Sequence, residues 1–260
     1  MEETGADVNA PIGRPPIFVV GCPRSGTTML RHILDSHPAI SCGPETRFLW
    51  GLRGIEERNW PSLAGFGLSI DEWHANVRAL FEAPHRHYAQ SQGKPRWADK
   101  SPDYALMLDY IDTLYPESQI IHIVRNPRDV IESWRHFYGT KSVPRAAQSW
   151  VRYVRAAHDF TRARLEHRAI EVRYEDLVAD PEQTLRRLFA WLGEPWDDRV
   201  LRFEEYRHTL AGGPLRLERE PGGSDVRTTS VGKGQTPYAA AASLIVKRTG
   251  RDLLRVFRYS

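Results

Sequence analysis

Residues Pro16 to Pro38, reading PIFVVGCPRSGTTMLRHILDSHP, constrain the fold more than any other stretch of this chain. Ile17–Val20 is a short, continuous apolar run with β-branched residues, the pattern of a buried strand in a parallel sheet. Gly21-Cys-Pro-Arg-Ser-Gly26 then turns the chain sharply. From Thr28 onward Met29, Leu30, Ile33 and Leu34 recur at helical spacing, and the pattern stops before Pro38. Strand, glycine turn and helix start bring backbone N–H groups and the positive end of a helix to one point. That arrangement binds phosphate. The alternative is an ordinary glycine-containing strand-to-helix turn, against which PRSGTT is a specific signal.

The spacing narrows the kind of phosphate site. A Walker A loop reads G-x-x-x-x-G-K-[ST]. Gly21 and Gly26 keep that spacing and Thr28 fills the hydroxyl position, but Thr27 stands where the lysine belongs. The cation is Arg24, inside the loop. A kinase without the lysine loses charge neutralisation on the transferring phosphoryl group. A retained cradle with a displaced cation therefore suggests a related transfer from a different donor.

Other stretches carry chemistry around this cradle. Ala39–Cys42 is a strand candidate leading into Gly43-Pro-Glu45-Thr-Arg47, a turn that sets a carboxylate beside a guanidinium. Arg96–Pro102, RWADKSP, is a turn after a possible short strand, with Ser101-Pro102 opening a helix through Leu114. Gln119–Val124 is the second strong strand. It ends at Arg125-Asn-Pro-Arg-Asp129, and a helix follows from Val130. A guanidinium fork at Arg125 with a hydroxyl at Ser133 suits a terminal phosphate monoester. Arg128 is expected to pair with Asp129 or Glu132 on the surface.

PRSGTT followed by HPAISCGPETR, with HIVRNPRDVIESW further on, resembles the 5′- and 3′-phosphate segments of sulfotransferases that use 3′-phosphoadenosine 5′-phosphosulfate (PAPS). The likeness is strongest to the tyrosylprotein sulfotransferase branch and its bacterial relatives. It covers Pro16–Trp50, Trp97–Tyr138 and Ile170–Glu205, is weak in Gly51–Arg96 and patchy after Tyr206. The resemblance implies Glu45 as the catalytic base, with Arg24 and Lys100 stabilising charge on the sulfonate. It implies that Arg24, Ser25, Gly26, Thr27 and Thr28 hold the 5′-phosphate, and Arg125 and Ser133 the 3′-phosphate. Tyr174 would lie near the adenine. Ser230 and Lys233 loosely fit a glycine-lysine loop over the cofactor, although Gly234 replaces a bulkier residue. The product would be adenosine 3′,5′-bisphosphate (PAP), and no metal would be required, since sulfuryl bears less charge than phosphoryl.

The remaining chain adds packing elements. Pro144–His167 reads as a helix with Trp150, Val151, Val154 and Ala157 on one face. Ile170–Tyr174 is a third strand. Asp180-Pro-Glu-Gln183 caps a helix ending at Leu192-Gly193, and Ala239–Phe257 is a final helix. In Gly51–Lys94 two weak helical patterns span Ser69–Phe81 and Pro84–Gln92. His85 and His87 make a poor metal motif and are expected to be solvated. Arg207–Tyr238 reads as loop.

Together these readings give an α/β fold: a P-loop-type three-layer domain with a central parallel sheet flanked by helices, over residues 16–260, with 1–15 a flexible tail. The net charge of +3 is too small to argue for nucleic acid. Of the basic residues 31 are Arg and 5 Lys, which suits anion recognition and equally reflects a GC-rich genome. Cys22 and Cys42 make no disulfide framework, and the acidic N-terminus has no apolar core, so a cytoplasmic protein without membrane insertion is expected. The acceptor would be a hydroxyl compound: a phenol, an alcohol, a sugar or a tyrosyl group. The rivals are a P-loop kinase phosphorylating a small alcohol and a nucleotide-binding module without catalysis.

Overall fold

The computed structural model describes residues 14–164, 168–206, 209–210, 213–214 and 231–259. In chain order the elements are β1 Ile17–Gly21, α1 Thr27–Ser36, β2 Ile40–Cys42, α2 Leu49–Gly65, α3 Ile70–Ser91, β3 Arg96–Lys100, α4 Leu108–Leu114, β4 Gln119–Val124 and α5 Pro127–Tyr138. There follow α6 Val143–Arg164, β5 Ala169–Arg173, α7 Tyr174–Ala179, α8 Pro181–Leu192, the two-residue strands β6 Thr209–Leu210 and β7 Gly213–Pro214, α9 Pro237–Thr249 and α10 Arg251–Val256.

Strands β1 to β5 form one sheet in the order β2-β3-β1-β4-β5, every neighbouring pair parallel. The most apolar strand lies at its centre. Alternation along β1 divides the core: Ile17 and Val19 face a cluster with Leu30, Ile33, Leu188 and Phe189 of α1 and α8. Phe18 and Val20 face Phe81, Trp97, Tyr104 and Ile111 on the opposite side. A third cluster gathers α5, α6, α9 and α10 around the fully buried Trp150. Both faces of the sheet are covered, as a parallel sheet requires.

Several expectations change at the element level. The two patterns around Pro84 are one helix, α3, which runs through the proline and opens with a Ser69–Glu72 capping box. Burial of Phe81, His85, Tyr88 and Ala89 on one face outweighs the helix-breaking tendency of Pro84. His85 is correspondingly not solvated: it is buried, with Nε2 3.1 Å from Asp99 Oδ2. His87 is exposed. The segment after Ser101 is a 3₁₀ turn, Pro102–Leu106, separated from α4 by Met107 at φ −141°. The final helix divides at Gly250, which packs close against Val151. Residues 1–13 of the expected tail lie outside the described residues. Of its last two residues, Pro15 accepts from Arg96 Nε at 2.7 Å, and Arg14 lies 2.7 Å from Glu194.

Candidate active site

All five strands deliver a residue of interest at or just beyond their carboxyl ends, where ligands collect in open α/β sheets. Across the sheet from β2 to β5 these are Glu45, Lys100, the Cys22–Thr28 loop, Arg125 and Tyr174. The site thus has an acidic–basic half after β2 and β3, a tight glycine loop (the candidate phosphate cradle) after β1, and a cationic–aromatic half after β4 and β5.

The cradle follows from backbone geometry. Arg24 at φ 75° and Gly26 at φ 95° both adopt the left-handed conformation, and Ser25 N–H donates to the Cys22 carbonyl at 3.1 Å. Such turns direct successive N–H groups to one side. A Cβ on Gly26 would lie 2.4 Å from Tyr174 Cδ2, so only glycine admits the Tyr174 ring here. Ser25 is fully buried and its hydroxyl has no hydrogen-bond partner among the described residues, which fits a polar ligand at the cradle. Cys22 is also fully buried, and burial pushes its thiol well above the usual range, so it is no nucleophile.

Arg125 joins the cradle to the β4–β5 half. It donates to the Arg24 carbonyl at 3.1 Å and stacks 4.5 Å over the Tyr174 ring, while Trp150 donates to its carbonyl at 2.8 Å. Arg24 Nε donates to Ser133 Oγ at 3.1 Å, and its guanidinium lies 4.0 Å from the Phe137 ring centroid. Arg24, Ser133, Arg125 and Tyr174 are therefore one contiguous set. Replacing Gly26 with alanine is expected to weaken binding of a phosphate-bearing ligand at this loop at least about tenfold, because the left-handed backbone costs ~1–2 kcal/mol and Tyr174 must move. Calorimetric titration measures it; an affinity within twofold of wild type would refute this account of the cradle.

On the other side Lys100 Nζ donates to Glu45 Oε2 at 2.7 Å. The Lys100 side chain is 3% exposed and that of Glu45 28%, so the pair opens from interior to surface. Arg47 Nε lies 3.5 Å from Glu45 Oε1 and donates to Asp103 at 3.0 Å. Two buried devices hold the turn. Arg31 of α1 donates from Nε to the Cys42 and Gly43 carbonyls at 3.1 and 2.8 Å, and Thr46 Oγ1 donates to Asp99 Oδ2 at 3.4 Å. Helix α1 thus supports both cradle and carboxylate.

The structure brings Glu45 and Lys100 together, and separately Arg24, Ser133, Arg125 and Tyr174. Thr27 is buried and Thr28 half-buried at the start of α1. Lys233 is exposed in the turn before α9, and Ser230 lies outside the described residues. Arg128 pairs with neither expected partner. Asp129 accepts from Gly232 and Gly234 N–H at 2.9 and 2.7 Å, and Glu132 takes Arg135 and Thr236, at 2.5 and 2.8 Å. Sequence reasoning missed Arg31 and Asp99, and gave Asp129 the wrong partner. Only Arg31 left a signal, a charge one position from the apolar stripe of α1.

This arrangement defines a P-loop-type α/β domain with its polar and charged residues gathered at the carboxyl ends of the strands. Residues 15–198 match the profile described as Sulfotransferase family. A protein-tyrosine sulfotransferase of Drosophila melanogaster is 30% identical over 217 residues, 79% of this chain and 43% of that protein. Among solved structures, the sulfotransferase domain of the Synechococcus PCC 7002 olefin synthase superposes with TM-score 0.68 at 25% identity, over 95% of this chain and 96% of that one. Mouse sulfotransferase SULT7A1, complexed with PAP, has the same fold at TM-score 0.59 and 20% identity, over 94% and 88%. The chain belongs to the sulfotransferase family. It spans about half the length of the curated relatives it matches. Among the described residues no helix is long and apolar enough to cross a membrane.

Proposed function

We propose that this chain transfers a sulfuryl group from PAPS to the hydroxyl of an acceptor. The observation that carries the reading is the placement of a carboxylate–lysine pair on one side of a phosphate cradle and an arginine–hydroxyl–tyrosine set on the other. A donor with two separate phosphates needs the cradle and the arginine–hydroxyl–tyrosine set, and an acceptor hydroxyl needs the carboxylate–lysine pair. Glu45 Oε1, the oxygen not engaged by Lys100, takes the acceptor proton as general base. Lys100 beside the cradle and Arg24 within it stabilise negative charge as the new O–S bond forms and the old one breaks. The cradle N–H groups, Thr27 and Thr28 receive the 5′-phosphate; Arg125 and Ser133 receive the 3′-phosphate, with Tyr174 beside the adenine. When bound, PAPS supplies the sulfuryl group and leaves as PAP. The names of the relatives favour a tyrosyl group or another phenol as acceptor, with sugars and alcohols as further arms of a screen.

Thermal unfolding with PAP, ADP and ATP tests this reading. PAP at about a hundred times its dissociation constant is expected to add roughly 2.7 kcal/mol of stability. ADP and ATP, without a 3′-phosphate, should add less at equal concentration. Stabilisation by ATP alone would restore the kinase reading and discard the roles of Arg125 and Ser133.

A further inference from the structure

Asp129 is 3% exposed, and its two carboxylate oxygens are used on a segment a hundred residues away in sequence. Oδ2 accepts from Gly232 N–H at 2.9 Å and Oδ1 from Gly234 N–H at 2.7 Å. Lys233 is the residue between these two donors, and it is exposed. The contact extends on both sides. A Cβ on Gly234 would lie 2.4 Å from the Arg128 carbonyl carbon, so the turn sits directly on the α5 backbone, and Thr236 Oγ1 donates to Glu132 Oε2 at 2.8 Å. Asp129 and Ser133 are four residues apart on α5, hence on one face. That face meets the cradle, because Ser133 accepts from Arg24 Nε at 3.1 Å.

We infer that Asp129 is a positioning residue for 3′-phosphate recognition: it docks the Val231–Gly234 turn onto α5 and so holds Lys233 beside Ser133 and Arg125. A lysine on an untethered segment loses side-chain and backbone freedom when it meets a phosphate. With both neighbouring N–H groups already fixed by a buried carboxylate, that backbone cost falls on folding and not on binding. Glycine at 234 is required for the close approach to Arg128, which is the physical reason a bulkier residue is absent there. The inference rests on the PAPS reading of the site and adds to it a residue that touches no part of the donor.

The test compares PAP with adenosine 5′-monophosphate, which lacks only the 3′-phosphate, on wild type, Asp129→Asn, Asp129→Ala and Lys233→Met. Wild type should bind PAP more tightly than the monophosphate. Asp129→Ala is expected to lose about tenfold in PAP affinity, or 1.4 kcal/mol, with the monophosphate changed less than about twofold. Asp129→Asn, which can accept from only one of the two N–H groups, should fall between. If Asp129 acts through Lys233, the double variant Asp129→Ala/Lys233→Met loses no more PAP affinity than the weaker-binding single variant. Equal weakening of both ligands would mean a general structural role and overturn the inference. So would unchanged or tighter PAP binding in Asp129→Ala, as when the carboxylate only competes with phosphate for the turn. A wild type that does not distinguish PAP from the monophosphate sinks the PAPS reading itself; loss of the increment in no Asp129 variant sinks the inference alone.

Discussion

Replacing Glu45 is expected to slow sulfuryl transfer at least about a hundredfold while leaving PAP binding close to wild type, as removal of a general base should. Two variants separate the base from its packing. Glu45→Ala removes the acceptor of the 2.7 Å bond from Lys100, whose side chain is 3% exposed, and so leaves a buried cation without its carboxylate. Glu45→Gln keeps an oxygen for Lys100 and removes only the ability to take a proton. Both should be slow in single-turnover transfer of labelled sulfate from PAPS to a panel of phenols, alcohols, sugars and tyrosyl peptides. Near-normal turnover of Glu45→Gln would assign the carboxylate to holding Lys100 and leave the base elsewhere. The proposed cofactor-binding set should hardly notice either change, because Arg24, Ser133, Arg125 and Tyr174 contact one another, and neither Glu45 nor Lys100 takes part in those contacts.

Glu194→Ala is expected to lower the unfolding free energy by about 3–5 kcal/mol, the usual cost of removing one partner from a buried ion pair. Glu194 and Arg96 have side chains only 1% exposed, with Glu194 Oε1 3.0 Å from Arg96 Nη1. Burial lowers the pKa of Arg96 from the guanidinium's ordinary value, and the Glu194 hydrogen bond and charge oppose that effect. Arg96 also donates to the carbonyls of Pro15 and Leu192, and to Gln119. It therefore ties the start of β1, the end of α8 and β4 to β3 at the amino-terminal edge of the sheet. Without Glu194 the guanidinium keeps neutral acceptors but, among the described residues, no carboxylate within hydrogen-bond reach. Urea unfolding with an unchanged m-value measures the loss. A change below about 1 kcal/mol, the range of exposed pairs, would contradict the assignment. The double replacement Arg96→Met/Glu194→Leu should be less damaging than Glu194→Ala, since it removes both charges together. PAP affinity per folded molecule should be unaltered, because this pair lies at the opposite end of the strands from the cradle.

The strand–loop–helix turn at Gly21–Thr28 was legible because its requirements are local. A buried strand, two glycines five residues apart and a helix start leave few conformations, and Gly26 at φ 95° is the one the turn demands. The positions of Arg125 and Glu45 were legible for a related reason: Arg125 follows β4 directly and Glu45 comes three residues after β2, and strand ends in a parallel sheet face the ligand crevice. The α3 helix and His85 were misread because Pro84 is a strong local signal, and burial of Phe81 and Ala89 in one cluster with Trp97 of β3 is a stronger non-local one. The ion pair drawn between Arg128 and its neighbours failed for the same reason. Adjacent opposite charges look self-sufficient until a distant backbone supplies two better donors to Asp129.

Local order along the chain determined the strand–loop–helix cradle, the alternation of Ile17, Phe18, Val19 and Val20 between two cores, and the chemical type of each strand-end residue. Tertiary structure alone decided how those ends are ranked across the sheet, in the order β2-β3-β1-β4-β5, and so which side of the Cys22–Thr28 loop carries Glu45 and Lys100 and which carries Arg125 and Tyr174. It also decided where buried charges find partners: Arg31 on the carbonyls before Glu45, Arg96 on Glu194, Asp129 on the turn around Lys233. A buried charge must be satisfied by whatever the fold brings within about 3 Å. Sequence neighbours do not determine which group that is.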